Sequence, residues 1–271
     1  MGRTGPRMTI AAIIAIIALV RFFTSQQVNP VTGEKQRVAL STDQEIALGL
    51  QAAPELAAQH GGESRDAPRR AQVDRVGARL LQRSSAGKSP YRFQFHLLED
   101  DRVVNAFALP GGQVFLTEAI AARMRTDAEI AGVLGHEIGH VIGRHGAEQL
   151  AKQQLIGGLG SSAVIAASDP SRPGSSEQSR HVAMLVGQMI SLRFGREDEL
   201  ESDRLGVRFM SEAGYDPRAL IHVMEVLRDL ARGRRQPEFF STHPNPERRV
   251  ERIQEAIRVQ FPSGVPTGLE R

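Results

Sequence analysis

The stretch AGVLGHEIGHVIGRH, residues 131–145, sets His136 and His140 four positions apart, with Glu137 directly after the first histidine. On a helix, four residues advance about 6 Å and turn about 40° beyond one full turn, so both imidazoles leave the same face. Two ring nitrogens one turn apart can bind a single zinc ion at about 2.0–2.1 Å. The spacing therefore predicts a metal site carried by a helix.

Glu137 is predicted to act on water rather than on the metal. Its side chain points about 100° away from that of His136, too far round to join the same coordination plane. Zinc lowers the pKa of a bound water towards neutrality, and a carboxylate beside that water can accept its proton and pass it to a leaving amine. The H-E-x-x-H pattern thus indicates hydrolysis, although a chain with eight histidines can also contain the pattern by accident.

A third protein ligand is expected downstream, in RFGREDELESDRLG, residues 193–206. This stretch has a helical pattern, and Glu199 with Asp203 repeats the one-turn spacing. Glu199 can complete a His-His-Glu set, while Asp203 can anchor a ligand histidine through its second ring nitrogen or supply a proton. Spacing alone does not choose Glu199 over Glu201.

His145, five positions beyond His140, is the competing third ligand. A motif of the form H-E-x-x-H-x-x-G-x-x-H would need its last histidine at position 146, which is Gly146. His145 is therefore predicted to sit at the helix end, as a partner of the helix dipole or as a surface group.

The motif helix has signals at both ends. Thr126 and Glu129 form a predicted capping box at its start, and Gly143 is a plausible stop. Beyond it, small residues and turn formers predict a helix hairpin, with one arm to about residue 167, a loop at 168–179 and a return arm over about 180–194. The segment 157–179 could serve as a lid or as an ordinary surface loop.

Upstream of the motif the pattern changes from helix to strand. A helix is predicted from Thr42, capped with Glu45 and kinked or divided at Pro54, and a second helix is predicted over about 66–84. The alternation in YRFQFHLLED and the two apolar pieces around Pro110-Gly111-Gly112 predict three strands. The predicted class is α+β, mostly helical, with a small antiparallel sheet of about three strands.

Composition excludes several kinds of partner. A formal net charge of +3 on 271 residues leaves no strong basic footprint, and the cluster Arg232, Arg234 and Arg235 has no aromatic residues between its members, so nucleic acid is not expected. The chain has no cysteine, which excludes disulfides and thiolate metal sites.

The N-terminal sequence predicts a membrane-targeting segment. Arg3 and Arg7 precede the apolar run MTIAAIIAIIALV, which is shorter than the roughly 20 residues of a comfortable bilayer span. We predict a signal anchor or signal peptide at 1–23, a linker or extended arm at 24–41, a catalytic domain at 42–260 and a tail at 261–271. The basic flank favours an inside N-terminus, with the rest of the chain across the membrane.

Three segments together carry a family resemblance: GHEIGHVIGRH, RFGREDELESD and STHPNPERRVERI. With VNAFALPGGQVFLTEAI and AGYDPRAL, they resemble the zinc metallopeptidases of the HtpX and CAAX-prenyl-protease type, which are gluzincins, and most of all the BepA-like periplasmic branch. The resemblance runs from about Gln44 to Ile257 and implies a zincin-like metallopeptidase domain. The multi-span membrane body of some members and the C-terminal repeat domain of BepA-like proteins are not expected here.

The resemblance implies roles for particular residues. Glu199 falls on the zinc-ligand glutamate, and Asp203 on the second acid. Arg196 matches an arginine that precedes the ligand helix. His243 matches a loop histidine that can cover or contact the zinc, and Arg249 the arginine after it. Asn105 and Ala106 match the strand edge on which an extended peptide can lie.

The expected protein is a zinc metalloendopeptidase with one zinc ion per chain. Its expected substrates are extended or misfolded polypeptides, in envelope protein quality control on the periplasmic side of the inner membrane, to which the N-terminal segment would tether it. Two alternatives stay open: a zinc-binding, chaperone-like module with little turnover, and a helical protein without metal.

Overall fold

The computed structural model describes residues 5–29, 31–38, 40–167, 193–232, 237–244 and 248–271. The described elements are α1 (Gly5–Thr24), β1 (Gln26–Val28), β2 (Lys35–Arg37), α2 (Thr42–Gln59), α3 (Ala67–Arg83), a short 3-10 helix (Ser85–Lys88), β3 (Gln94–Leu98), β4 (Ala106–Leu109), β5 (Gln113–Thr117), α4 (Glu118–Ala121), α5 (Asp127–Ile142), α6 (His145–Ala167), α7 (Arg196–Glu212), α8 (Ala219–Ala231), α9 (Phe239–Thr242) and α10 (Arg249–Gln260). Helices predominate beside small sheets, which confirms the predicted α+β class.

The three-stranded sheet has the order β3-β5-β4. Strands β4 and β5 form the predicted antiparallel hairpin, in which Gly111 and Gly112 take positive φ angles of 89° and 110° that favour glycine. The prediction of an all-antiparallel sheet is wrong for β3, which pairs with β5 in parallel. Every residue of β5 is buried, so β5 takes the centre of the sheet and leaves β4 at one edge.

Helix α2 begins one residue earlier than the capping box predicted. Ser41, not Thr42, is the cap, and its hydroxyl accepts from the Gln44 backbone N–H while the Gln44 side chain accepts from Ser41. Glu45, the predicted capping partner, is instead buried and pairs with the Arg144 guanidinium at 3.2 Å. The helix is continuous through Pro54, where we predicted a kink or a division.

Helices α5 and α7 pack against each other at the centre of the molecule, and small residues let them approach closely. A Cβ atom added at Gly139 would lie 2.9 Å from the Ser202 Cα, and one at Gly135 would lie 3.3 Å from the Gly206 Cα. Both distances are shorter than an ordinary van der Waals contact. The two helices can therefore bring short polar side chains into direct contact.

The segment predicted as a linker or extended arm packs against the end of α5. Strands β1 and β2 form an antiparallel pair within it. The Asn29 side-chain amide donates to the Ile142 carbonyl at 2.6 Å, and the Gln36 amide donates to the Gly143 carbonyl. The arm thus satisfies carbonyl groups that the end of a helix leaves unpaired.

The N-terminal helix and the C-terminal tail each contact other elements of the structure. Helix α1 covers most of the predicted signal segment and packs along α6. Among the described residues, no helix combines the length and the apolar character that crossing a bilayer requires. At the other end, the predicted tail pairs with the domain, since the Asp216 backbone N–H donates to the Glu270 carbonyl at 2.8 Å.

The predicted helix hairpin is described in part. Helix α6 forms its first arm and ends at Ala167, as expected. The predicted loop at 168–179 and the return arm up to residue 192 lie outside the described residues, as do Arg234 and Arg235 of the basic cluster. Arg193 and Phe194, at the end of the predicted return arm, have no regular secondary structure.

Candidate metal centre

The motif helix α5 is fixed at both ends by local contacts. The Thr126 hydroxyl accepts from the Glu129 backbone N–H at 3.2 Å, as a helix cap does, and Gly143 ends the helix as predicted. The second half of the predicted capping box differs, because the Glu129 carboxylate accepts from the Arg125 backbone rather than from Thr126. Within the helix, all residues from Ala128 to Ile142 are buried.

Two helices bring the predicted metal ligands together. The Nε2 atoms of His136 and His140 lie 3.1 Å apart. From α7, the Glu199 carboxylate lies 3.4 Å from the His140 Nε2 and 3.6 Å from the His136 Nε2. Glu199 therefore faces both imidazoles, while Glu201, which spacing had left as an alternative, points to a different partner.

His243 joins the same cluster from the segment after α9. Its Nδ1 lies 3.0 Å from the Glu199 Oε1 and 3.4 Å from the His136 Nε2. One ligand atom from each of His136, His140, Glu199 and His243 lies within 4.8 Å of all the others. His243 is thus close enough to share a metal ion with the three predicted ligands.

The chemistry of the cluster fits a divalent metal ion. Two nitrogens and a carboxylate oxygen, with a third nitrogen beside them, form the donor set that zinc prefers in proteins. All four residues are buried, and so is Glu137. Neither Glu137 carboxylate oxygen has a hydrogen-bond partner among the described residues, so an acceptor group faces the cluster with its bonding capacity unused.

Asp203 and Arg249 form hydrogen bonds and an ion pair with the predicted ligands. The Asp203 Oδ1 lies 3.0 Å from the His136 Nδ1 and accepts its hydrogen. The Arg249 guanidinium donates to both Asp203 oxygens at 2.6 and 2.9 Å, and it lies 2.9 Å from the Glu199 carboxylate. This geometry favours the anchoring role predicted for Asp203 over its alternative role as a proton donor.

The pKa shifts of the carboxyl groups follow from burial and from Arg249. Burial raises the pKa of Glu137 above its ordinary value, because the charged form loses its hydration. Burial acts in the same direction on Glu199 and Asp203, but nearby positive charge and hydrogen bonds outweigh it and lower the pKa of both carboxyls. Glu199 and Asp203 are therefore held as anions, whereas Glu137 holds a proton more readily.

The two motif histidines differ in the direction in which their pKa values are shifted. Burial and the Arg249 charge oppose protonation of His136, but its hydrogen bonds to Asp203 and Glu199 raise its pKa to about 9. For His140, burial prevails and holds the pKa well below the ordinary value, which favours the unprotonated ring that metal binding needs.

The residues predicted to bind an extended peptide lie at the start of the edge strand β4. Asn105, just before it, and Ala106, its first residue, are both buried. Asn105 lines a small cavity of about 90 Å³ together with Phe107, Phe194 and Glu238. Arg196, in contrast, is exposed in the first turn of α7 and lies outside the cluster.

Sequence reasoning missed the aromatic walls of the site. Phe194 stacks on His140 with ring centroids 4.0 Å apart, and Phe239 stacks on His243 at 4.4 Å. Phe194 lies inside the predicted site segment 193–206 and Phe239 lies just before the segment that contains His243, but neither aromatic has a catalytic spacing, so position was the available signal. The two rings limit how far the imidazoles can turn.

Of the two positions predicted for His145, at the helix end as a dipole partner or at the surface, the surface position is wrong. His145 is buried rather than at the surface, and its Nδ1 lies 2.9 Å from the His140 Nδ1. The missing signal is the backbone at Arg144, whose φ of 57° turns His145 back towards α5.

Comparison with known proteins shows similarity to peptidases. The model of peptidase family M48 matches residues 67–257. The beta-barrel assembly-enhancing protease of Escherichia coli (strain K12) is 35% identical over 185 residues, which cover 66% of this chain and 37% of that protein. The mitochondrial metalloendopeptidase OMA1 of Schizosaccharomyces pombe is 30% identical over 240 residues, which cover 87% of this chain and 68% of that protein.

A third relative, the mitochondrial metalloendopeptidase OMA1 of Arabidopsis thaliana, is 31% identical over 160 residues, or 59% of this chain and 31% of that protein. The chain thus spans little more than a third of the length of the Escherichia coli relative. These matches confirm the family resemblance that the three motif segments indicated.

Proposed function

Because the chain belongs to peptidase family M48, we propose that it is a zinc-dependent endopeptidase that cleaves peptide bonds in extended or misfolded protein segments. The observation that carries the proposal is the convergence of His136, His140 and Glu199 from two helices, beside the buried carboxylate of Glu137. In this assignment the first three residues hold one zinc ion per chain.

A zinc ion held by His136, His140 and Glu199 would polarise the scissile carbonyl and would make a water molecule nucleophilic at neutral pH. Glu137 accepts the proton of that water and passes it to the leaving amine. Its raised pKa suits both steps, because a carboxylate whose pKa lies nearer to neutrality is both a better base and a usable acid. Asp203 and Arg249 keep the His136 ring oriented throughout.

The edge of the sheet supports the proposed substrate class. Strand β4 has β5 on one side, and its other edge can pair with an extended peptide through backbone hydrogen bonds. Such pairing reads the shape of a chain rather than its sequence, which suits segments that have lost their fold. Asn105, beside Ala106 at the start of β4, has a buried amide oxygen without a hydrogen-bond partner, which is available to a substrate N–H.

His243 supports a second candidate function, a zinc-binding, chaperone-like module with little turnover. Its Nδ1 lies among the ligand atoms, and its Nε2 lies 3.6 Å from the Glu137 carboxylate. In that position His243 can occupy the coordination site that a water would need. The two candidates differ in the effect of His243→Ala, which raises hydrolysis if His243 only covers the site and leaves it at zero if the protein only binds.

We assign the activity to envelope protein quality control on the periplasmic side, with the N-terminal segment as a tether to the inner membrane. The support is the basic and apolar pattern of residues 1–23 and the printed names of the relatives, one a beta-barrel assembly-enhancing protease and others mitochondrial metalloendopeptidases. An integral tether should resist extraction by high salt or by carbonate. Release of the protein from isolated membranes by either treatment, without detergent, would contradict it.

The test of the catalytic assignment is Glu137→Gln. The variant should retain zinc and should lose casein hydrolysis by at least about 100-fold, the scale of general-base catalysis. Glu197→Gln, an exposed acid on α7, is the matched control and should keep full activity. Equal hydrolysis by wild type and Glu137→Gln would end the proposal.

A further inference from the structure

The buried histidine His145 connects a metal-site histidine to a carboxylate. Its Nδ1 lies 2.9 Å from the His140 Nδ1, and its Nε2 lies 3.2 Å from the Glu201 Oε2. The His145 side chain is almost completely buried, while Glu201 keeps part of its surface in contact with solvent. A continuous chain of hydrogen bonds thus runs from the metal cluster to the edge of the protein.

Metal binding by His140 would fix the direction of both hydrogen bonds that connect His140, His145 and Glu201. If the His140 Nε2 binds a cation, the ring carries its hydrogen on Nδ1 and donates it outward. The His145 Nδ1 must then accept, so His145 carries its hydrogen on Nε2. That hydrogen points to Glu201, whose carboxylate can only accept. One assignment of hydrogens satisfies all three groups.

The backbone holds His145 in this position. Arg144, between α5 and α6, has a φ of 57°, and its buried guanidinium donates to Gln27 at 2.7 Å and to the Leu40 carbonyl at 2.8 Å. A Cβ atom at position 143 would lie 2.5 Å from the His145 Nε2, so Gly143 leaves the space that the ring occupies. The left-handed turn and the glycine together aim His145 at His140.

The two motif histidines are supported in parallel ways. The Nδ1 of His136 contacts the carboxylate of Asp203 directly. The Nδ1 of His140 reaches the carboxylate of Glu201 through His145. Both carboxylates come from α7, on either side of Ser202, so a single helix orients both imidazoles.

We infer that His145 is a positioning residue which, together with Glu201, fixes the tautomer and orientation of His140 for metal binding. The inference rests on the proposed function, because it assigns His140 to a zinc site. It gives Glu201 a role distinct from that of Glu199, two positions before it on the same helix. Outer partners of this kind set metal affinity by about 10- to 100-fold when they are removed.

The experiment measures the zinc dissociation constant by competition with a chromophoric chelator at one pH. His145→Ala should weaken zinc binding by about 10- to 100-fold. His145→Asn should recover much of the affinity, because the Asn side-chain oxygen lies near the place of Nδ1 and can accept from His140. Glu201→Ala should weaken binding less, and Glu197→Ala, at an exposed position of the same helix, should not change it.

Combining the changes separates positioning from a general loss of stability. Because Glu201 acts through His145, the double variant His145→Ala/Glu201→Ala should bind zinc no more weakly than His145→Ala alone. In the zinc-loaded wild type, nitrogen NMR should show the His140 hydrogen on Nδ1.

Three results would overturn the inference: unchanged zinc affinity in both single variants, additive losses in the double variant, or a His140 hydrogen on Nε2. A wild-type protein that binds no zinc would also overturn it, and that result would contradict the proposed function as well. Tight zinc binding that none of these changes alters contradicts only the role of His145.

Discussion

Glu137 is the residue on which the proposed chemistry depends, and its surroundings suit the role of a general base. Its carboxylate is buried, and none of the described hydrogen-bond donors reaches it. Burial of an unpaired carboxyl raises its pKa, because the anion loses hydration without gaining a compensating bond. The result is a carboxyl group beside the metal cluster whose pKa lies above the ordinary glutamate value.

This residue predicts the pH dependence of the activity. A general base must be ionised to act, so kcat/KM should fall as the pH drops through the pKa of Glu137. Because that pKa is raised, the acidic limb should lie above the ordinary glutamate value of about 4.3. The profile should be measured with zinc buffered at saturation, so that loss of metal does not produce the limb. A limb at or below the ordinary value would contradict the assignment.

A second prediction for a single residue concerns Asp203. Asp203→Ala removes the acceptor for the His136 Nδ1 and one partner of the buried Arg249 charge. Zinc affinity should drop by about 10- to 100-fold, and the free energy of unfolding should fall as well, since a buried charge that loses its partner is destabilising. Asp203→Asn keeps an acceptor oxygen and should retain more affinity than Asp203→Ala in the same chelator competition. Equal affinity in the two variants would contradict the anchoring role.

Residues of the motif itself were predictable because their relation is local. Helix geometry alone relates His136, Glu137 and His140. The choice of Glu199 over Glu201 depends on how α7 is rotated against α5, which spacing does not contain, and only the family resemblance supplied it. The burial of His145 was not predictable, because the direction of its side chain depends on the left-handed backbone of Arg144.

At the scale of elements, the packing of α5 on α7 decides how closely the ligands meet. Gly139, which lies between the two motif histidines in the sequence, packs against Ser202, three positions after Glu199. Replacing that glycine by a larger residue must push the two helices apart, because the nearest atoms belong to the backbone of α7 and cannot turn away.

Gly139→Ala tests this packing. The new methyl group would begin 2.9 Å from the Ser202 Cα, so we expect about 1–3 kcal/mol of destabilisation, the cost of overpacking, together with weaker zinc binding. Gly268→Ala, at a position with open space around it, is the control. Urea unfolding and chelator competition should both respond to the first change and not to the second. An unaffected Gly139→Ala would show that the helices can separate without cost.

The hairpin of β1 and β2 acts on the other end of α5. Gln36 is buried and donates to the Gly143 carbonyl, while its side-chain oxygen accepts from Asn29 at 2.9 Å. Gln36→Ala should cost about 1–3 kcal/mol in urea unfolding, because buried partners are left unsatisfied. Lys35→Ala, an exposed neighbour on β2, should change stability by less than about 0.5 kcal/mol. Equal effects of the two changes would mean that the arm does not support the motif helix.

Elements were predictable in proportion to how local their signals are. The helices around the site and the turn at Pro110-Gly111-Gly112 follow from periodicity and turn chemistry. The parallel pairing of β3 with β5 does not, because it depends on which strand is buried on both faces and so takes the centre. The contact between the arm and α5 joins residues over a hundred positions apart in the chain, as in the hydrogen bond from Asn29 to the Ile142 carbonyl. No local sequence pattern predicts such a contact.

For the whole molecule, the metal cluster lies where several segments meet, so zinc should stabilise the fold and not only the site. Helix α5 contributes two residues to it, and helix α7 and the segment after α9 contribute one each. A ligand that binds only the native state stabilises by RT ln(1 + [L]/Kd), or about 2.7 kcal/mol at a concentration 100 times the dissociation constant. Removal of zinc by a chelator should therefore lower Tm, and readdition should restore it. A Tm that a chelator leaves unchanged would contradict a structural contribution of the metal.

The most direct measurement of the central claim is the zinc content of the purified protein and of two variants, by mass spectrometry of the metal after exhaustive dialysis in zinc-buffered solution. Wild type and Glu137→Gln should each hold one zinc ion per chain, whereas Glu199→Ala should lose most of it, because a carboxylate from the second helix completes the site. A wild type without zinc, or a Glu199→Ala variant that holds zinc as tightly as wild type, would contradict the account.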